Sequence, residues 1–249
     1  MPHYDFRQPR LFIDEPLTGG GRIALRGDAA NYLRTVLRLG TGDGVLLFNG
    51  RDGEWQAELA VEGRRSLFAV VRQQARPQPQ PGDLHYLFAP IKHARLDYMI
   101  QKAVELGASR LQPVITQHTQ VTRVNLERMR ANVVEAAQQC GILALPDVGE
   151  PGSFDAILRS LSSERVLVFC DESADVRHPV AALAQAARRG VPLAVLIGPE
   201  GGFDERERAA LQKRPNTIRL ALGPRILRAD TAAVAALGLV QAVLGDWAG

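Results

Sequence analysis

The chain is short of cysteine, lysine and long apolar runs, and each shortage closes off a class of protein. Its two cysteines, Cys140 and Cys170, form no C-x-x-C pair and are too few for a disulfide framework. That usage suits a reducing compartment, with thiols acting as small apolar side chains. No stretch approaches the roughly 20 apolar residues that cross a bilayer, and the segment MPHYDFRQPRLF has no run fit for a signal peptide. A cytoplasmic protein with no membrane partner is therefore expected. The five histidines are scattered without a pair at metal-ligand spacing, so no metal is expected either. There is no G-x-S-x-G elbow, no G-x-G-x-x-G fingerprint and no P-loop lysine, which leaves little support for covalent or nucleotide-phosphate chemistry. Lys92, Lys102 and Lys213 are the only lysines, so the small net charge of +3 is carried almost wholly by arginine. Arginine pairs bidentately with phosphate and stacks on bases, so the charge allows an RNA partner without demanding one.

What is present divides at a proline-rich segment, Gln74-Ala75-Arg76-Pro77-Gln78-Pro79-Gln80-Pro81-Gly82, whose alternating prolines favour an extended connection. The expected organisation is a small domain over 1–76, a linker at 77–82 and a larger domain over 83–249. In the first, short apolar runs at 11–13, 23–25, 45–48, 55–61 and 67–71 read as strands. Asn49-Gly50 and Asp52-Gly53 supply a hairpin cue. One helix interrupts, with Asp28 as the expected N-cap and Leu33, Val36 and Leu37 as its buried stripe. So many short strands suggest a small β-barrel.

Beyond the linker, apolar runs at 84–89, 111–115, 166–170, 193–197 and 218–222 alternate with helical patterns. Leu96, Ile100, Ala103 and Leu106 line one helix, which Gly107 is placed to end; Met129, Val133, Ala136 and Cys140 line another. The alternation predicts an α/β fold with a parallel sheet covered by helices.

Two loops carry the chemistry. Leu196-Ile197-Gly198-Pro199-Glu200-Gly201-Gly202-Phe203 follows a strand and precedes a helix whose Asp204 and Glu207 have capping-box spacing. Leu222-Gly223-Pro224-Arg225-Ile226-Leu227-Arg228-Ala229-Asp230-Thr231 also joins a strand to a helix. Ligands of open α/β sheets bind at the carboxyl ends of strands, and two glycine-proline turns there can wall one pocket.

These two motifs resemble the paired cofactor loops of the RsmE family, the 16S ribosomal RNA uracil-N3 methyltransferases of the SPOUT superfamily. The likeness extends to Ile100-Gln101-Lys102-Ala103-Val104-Glu105-Leu106-Gly107, to Pro9-Arg10-Leu11-Phe12 and to Leu33-Arg34-Thr35-Val36-Leu37-Arg38, in order along nearly the whole chain. It implies a PUA-like RNA-binding barrel followed by a SPOUT domain with a deep trefoil knot. It also implies a homodimer acting on 16S rRNA in the small ribosomal subunit. S-adenosyl-L-methionine would be held by Leu196, Gly198, Pro199, Glu200 and Gly201 from one loop and by Leu222, Gly223, Ile226, Leu227 and Arg228 from the other.

Uracil N3 carries a proton at neutral pH, so its methylation requires a base or a cation that favours the uracil anion. Arg228 is the expected stabiliser of that charge, with Glu200 and Asp230 as candidates for accepting the proton or orienting the arginine. Arg7, Arg10, Arg34, Arg38, Lys92, Arg95 and Lys102 are candidates for RNA contacts. The chain departs from the family pattern in three places. Gln138-Gln139-Cys140-Gly141-Ile142 lacks an expected arginine, Gln117-His118-Thr119 replaces a charged pair, and Ala229-Asp230 stands where threonine and glutamate are usual. A catalytically silent RNA-binding protein of the same fold, or a SPOUT methyltransferase on another RNA, are the alternatives at this stage.

Overall fold

The computed structural model describes residues 8–63, 66–121, 123–171, 173–174, 178–186 and 188–248. They form two compact units, one holding the described residues up to Gln80 together with Ala137–Leu145, the other the remainder.

The first unit contains β1 (Arg10–Phe12), β2 (Arg22–Leu25), α1 (Gly27–Asn31), β3 (Gly44–Phe48), β4 (Glu54–Glu62) and β5 (Ser66–Arg76). Their order in the sheet is β1-β3-β4-β5-β2, with β1 parallel to β3 and every other pair antiparallel. All five expected strands are present. Strand side chains alternate between faces, and the inward set builds one core from Leu11, Ile23, Leu25, Val45, Leu47, Leu59, Leu67 and Val71. At the β3–β4 turn, Asn49 Oδ1 accepts hydrogen bonds from the Arg51 and Asp52 backbone N–H groups at 3.1 and 2.8 Å, the local bonding that makes asparagine a turn residue.

The expected helix differs from the observed one in two respects. Arg26, not Asp28, occupies the N-cap, without a side-chain cap; Asp28 lies in the first turn. The helix then widens into a π-turn over Tyr32–Val36, closed by Leu37 N–H donating to Tyr32 O at 2.9 Å. Leu33 is fully buried and Leu37 half-buried, but the wider turn swings Val36 off their face and leaves it 62% exposed.

The second unit contains β6 (Leu84–Phe88), α2 (His93–Glu105), β7 (Arg110–Ile115), α3 (Leu126–Cys140, whose last turn belongs to the first unit), β8 (Asp147–Val148), β9 (Gly152–Ser153), α4 (Phe154–Ser160), β10 (Val166–Cys170), α5 (Pro179–Ala186), β11 (Leu193–Ile197), α6 (Glu205–Lys213), β12 (Thr217–Leu220) and α7 (Ala229–Val243). The sheet runs β12-β10-β11-β6-β7-β8, with β9 paired to β7, and every ladder is parallel. Leu87, Leu167, Phe169, Ala194 and Leu196 pack on Phe154 of α4, Leu211 of α6 and Phe203. The alternate strand residues face the other side, where α2, α5 and α7 pack.

α2 ends as its sequence implies. Gly107 takes φ +78°, and the Gly107 and Ala108 N–H groups donate to Val104 and Ala103 carbonyls at 3.0 and 2.9 Å. In α3, Met129, Val133 and Ala136 are buried, whereas Cys140 is exposed. Cys140 thus fails the expectation of an apolar stripe running to the helix end. Ala137 and the half-buried Ile142 enter the apolar cluster of Phe48 and Leu143 instead. The same turn is tied down by polar bonds within the first unit. Arg10 Nη1 and Arg76 Nη2 donate to the Gln138 and Gly141 carbonyls at 3.2 and 3.0 Å, and Phe12 N–H donates to Gln138 Oε1 at 2.8 Å. Both arginines also converge on Glu54, whose side chain is only 2% exposed.

No helix among the described residues is long and apolar enough to cross a membrane, and no described group of three or more His, Cys, Asp or Glu is placed to hold a metal ion.

Candidate active site

The chain leaves β11, crosses back over β10 and enters β12, so the loops following these three strands open at one carboxyl edge of the sheet. They enclose a cavity of about 450 Å³, within the size range of small-molecule sites. One wall is the 198–203 loop, the other the 222–228 loop, and Cys170 and Asp171 lie between them at the end of β10.

The first wall is a turn closed by Gly202 N–H donating to Pro199 O at 2.9 Å. Its far end is fixed by the expected capping box. Asp204 Oδ1 accepts from Glu207 N–H at 2.6 Å, and Glu207 Oε2 accepts from Asp204 N–H at 3.1 Å. Glu207 is buried, and its other oxygen accepts from Gln117 N–H at 2.8 Å, which ties the 116–119 turn to this wall. The second wall leads into α7, whose N-cap is Arg228.

Of the residues expected to hold a cofactor, Gly198, Pro199, Glu200, Gly201, Leu222, Gly223, Ile226, Leu227 and Arg228 line this cavity. Leu196 does not. Strand alternation turns its side chain into the core beside Phe203, and Ile197 reaches the cavity in its place. Ile226 stands 89% exposed at the rim.

The three residues expected to act on the proton are distributed unequally. Arg228 and Glu200 are both on the cavity lining. Glu200 Oε1 faces Arg95 Nη2 at 3.4 Å, both side chains partly exposed. Asp230, in the first turn of α7, lines a separate hollow with Tyr98, Thr231, Val234 and Ala235, and its Oδ1 accepts from Thr231 N–H at 3.0 Å.

Cys170 and Asp171 were not legible as site residues, because their only signal is that they end the strand lying between the two loop-bearing strands. Burial, aided by the Asp171 charge, pushes the Cys170 thiol up to about 12, so it meets the cavity as a protonated, weakly nucleophilic group. Burial also works to raise the Asp171 carboxyl, but hydrogen bonds from Ser173 N and Oγ and from Arg219, with Arg208 nearby, outweigh it and hold Asp171 below its usual range. Asp171 is therefore held as a carboxylate whose charge is paired with Arg219 and Arg208.

Of the candidate RNA contacts, Arg7 lies outside the described residues. Arg10 is 8% exposed, with its Nε 2.5 Å from Glu54 Oε1, so it serves the interior of the first unit. Lys102 bonds Glu105 at 2.6 Å and sits over the Tyr98 ring, and Arg95 faces Glu200. Arg34, Arg38 and Lys92 are exposed.

The comparison with known proteins agrees with this architecture. Residues 78–241 match the model of an RNA methyltransferase domain, and residues 25–72 match an RNA methyltransferase PUA domain. The chain is 30% identical over 233 residues to ribosomal RNA small subunit methyltransferase E of Rickettsia conorii, covering 93% of this chain and 94% of that protein. It is also 30% identical to the protein of that name from Mycobacterium bovis, covering 95% and 93%. Among solved structures, a ribosomal RNA small subunit methyltransferase E from Neisseria gonorrhoeae, bound to S-adenosyl methionine, superposes with a TM-score of 0.81 at 26% identity over 96% of this chain and 98% of that one. The parallel sheet with its paired carboxyl-edge loops, the PUA domain and these whole-length likenesses place the chain in one group: it belongs to the RsmE family of RNA methyltransferases.

Proposed function

We propose that this chain methylates uracil N3 at a specific uridine of 16S rRNA in the small ribosomal subunit, using S-adenosyl-L-methionine. The observation that carries the reading is the cavity walled by the 198–203 and 222–228 loops, in a chain of a family whose solved relative holds that cofactor. The lining fits an adenosine linked to an amino acid. Backbone N–H and C=O groups of two glycine-rich turns can meet the polar edges, while Ile197, Phe203, Leu220 and Leu222 supply apolar surface. When bound, the cofactor supplies a methyl group on a sulfonium centre.

The chain's own residues would do the rest. Arg228, at the rim and with a side chain that makes no cap bond to α7, stabilises the negative charge that develops on the uracil as N3 loses its proton. Glu200, on the opposite wall, is the carboxylate best placed to accept that proton, with Arg95 steadying it. Asp230 faces the neighbouring hollow, and its charge in the first turn favours α7. The target base must be unstacked to enter. The PUA domain is the RNA-binding unit in this reading, with the exposed Arg34 and Arg38 as candidate phosphate contacts and Lys92 as a further exposed cation.

The enzyme is proposed to be a cytoplasmic homodimer. Tyr98 of α2, 45% exposed, shares a hollow with the half-buried Val234 and Ala235 of α7, and Trp247, 57% exposed, lies near Gly238 of the same helix, apolar surface that suits a second copy. A deep trefoil knot is proposed for the 170–229 region, consistent with the crossover from β11 past β10 to β12. Deleting the gene tests the target. Small-subunit RNA from such cells should lack 3-methyluridine and regain it on complementation; an unchanged nucleoside profile would exclude this substrate.

A further inference from the structure

The 116–119 turn, where this chain carries Gln117-His118-Thr119, sits directly on the first wall of the cavity. His118 Nδ1 lies 3.1 Å from the Gly201 carbonyl and 3.1 Å from the Gly202 carbonyl. Both partners are acceptors, so Nδ1 carries the hydrogen and donates a bond shared between them. The ring also covers the turn closely. A Cβ placed on Gly201 would come within 3.1 Å of His118 Cβ and 3.5 Å of its Cγ, so the glycine gives the imidazole a close fit that a side chain at 201 would crowd. The histidine is itself held. Thr116 N–H donates to Thr119 Oγ1 at 2.9 Å, Thr119 N–H donates to Thr116 O at 3.2 Å, and Gln117 N–H donates to the buried Glu207. Glu207 is the residue that also completes the capping box at the end of the same loop.

We propose that His118 is a positioning residue for cofactor binding: its Nδ1–H clamps the Gly201 and Gly202 carbonyls and fixes the cavity wall formed by residues 199–203. Two donors from one turn therefore brace this wall, the His118 imidazole at its middle and the Gln117 N–H, given to the Glu207 carboxylate, at its end. With these carbonyls committed to His118, the turn keeps one peptide orientation, and the Glu200–Gly201 edge facing the cavity is set before ligand arrives. Such pre-organisation raises affinity by removing ordering that binding would otherwise require. This role rests on the cofactor reading given above.

The test uses the full-length protein and S-adenosyl-L-methionine titrated by calorimetry, with melting temperature recorded for each variant. His118→Ala and His118→Phe remove the donor, the second while keeping a ring over Gly201. His118→Asn returns an N–H close to the position of Nδ1. Loss of a single shared hydrogen bond predicts affinity weakened by about five- to tenfold in the Ala and Phe variants. Recovery to within about twofold of wild type is expected in the Asn variant. In turnover assays, KM for the cofactor should rise in the same order while KM for RNA stays unchanged. Native affinity in His118→Phe, or affinities that follow melting temperature instead of the donor, would overturn the role. Absence of binding by the wild-type protein would instead remove the cofactor reading beneath it.

Discussion

At the rim of the cavity, Arg228 combines three properties that set its expected behaviour. It lines the pocket, it is exposed, and it contributes no side-chain bond to the helix it begins. Arg228→Ala should therefore leave the melting temperature unchanged while lowering turnover by about 100-fold or more, the usual cost of removing a group that stabilises transition-state charge. Single-turnover methyl transfer alongside thermal melts checks this, and near-native turnover would remove Arg228 from the mechanism. Residue-scale features were unevenly legible in the sequence. Glycine-proline turns and the Asp204–Glu207 spacing are local patterns, so the loop positions and the capping box could be read directly. His118 acts on carbonyls 83 and 84 residues away, and Asp171 gains its setting from Arg219, 48 residues on. No local pattern encodes such pairings.

Among the elements, strands were readable because their apolar runs are continuous or alternating, and the parallel sheet has every long strand the pattern implies. The two-residue strands β8 and β9 are too short to carry a period. The turn after α1 misled for another reason: a π-turn has no signature in a 3.6-residue stripe, so Val36 reads as buried when it is not. The end of α3 shows how long-range bonding redefines an element. Gln138 and Gly141 carbonyls are met by Arg10 and Arg76, and Glu54 pairs with both arginines inside the first unit. Glu54→Ala strips the central carboxylate from this cluster. It should cost about 3–5 kcal/mol of stability, as breaking a buried ion pair by removing one partner does. Urea denaturation of the two proteins measures the difference; a loss below about 1 kcal/mol would mean the cluster behaves as a surface pair.

For the molecule as a whole, acid sensitivity follows from one partly buried base on the parallel sheet. His85 on β6 is lowered from 6.5 to about 4, chiefly because burial disfavours its charged form and secondarily because Arg165 repels it; Asp83 opposes the shift. Between those values the unfolded chain binds a proton that the folded chain refuses. Stability is therefore fully present above pH 6.5 and declines as pH falls toward 4. Melting curves across that interval should show the decline, and His85→Gln should make it shallower; an equally steep decline in the variant would assign the acid limb to other groups.

The most direct measurement for the central claim is transfer of labelled methyl from S-adenosyl-L-methionine to small ribosomal subunits that lack the modification, followed by nucleoside analysis. Label confined to 3-methyluridine at a single position is the expected result, and its rate of appearance should fall by about 100-fold or more with Arg228→Ala. Label in another nucleoside, or none despite cofactor binding, would contradict the assignment of uracil N3 in small-subunit RNA.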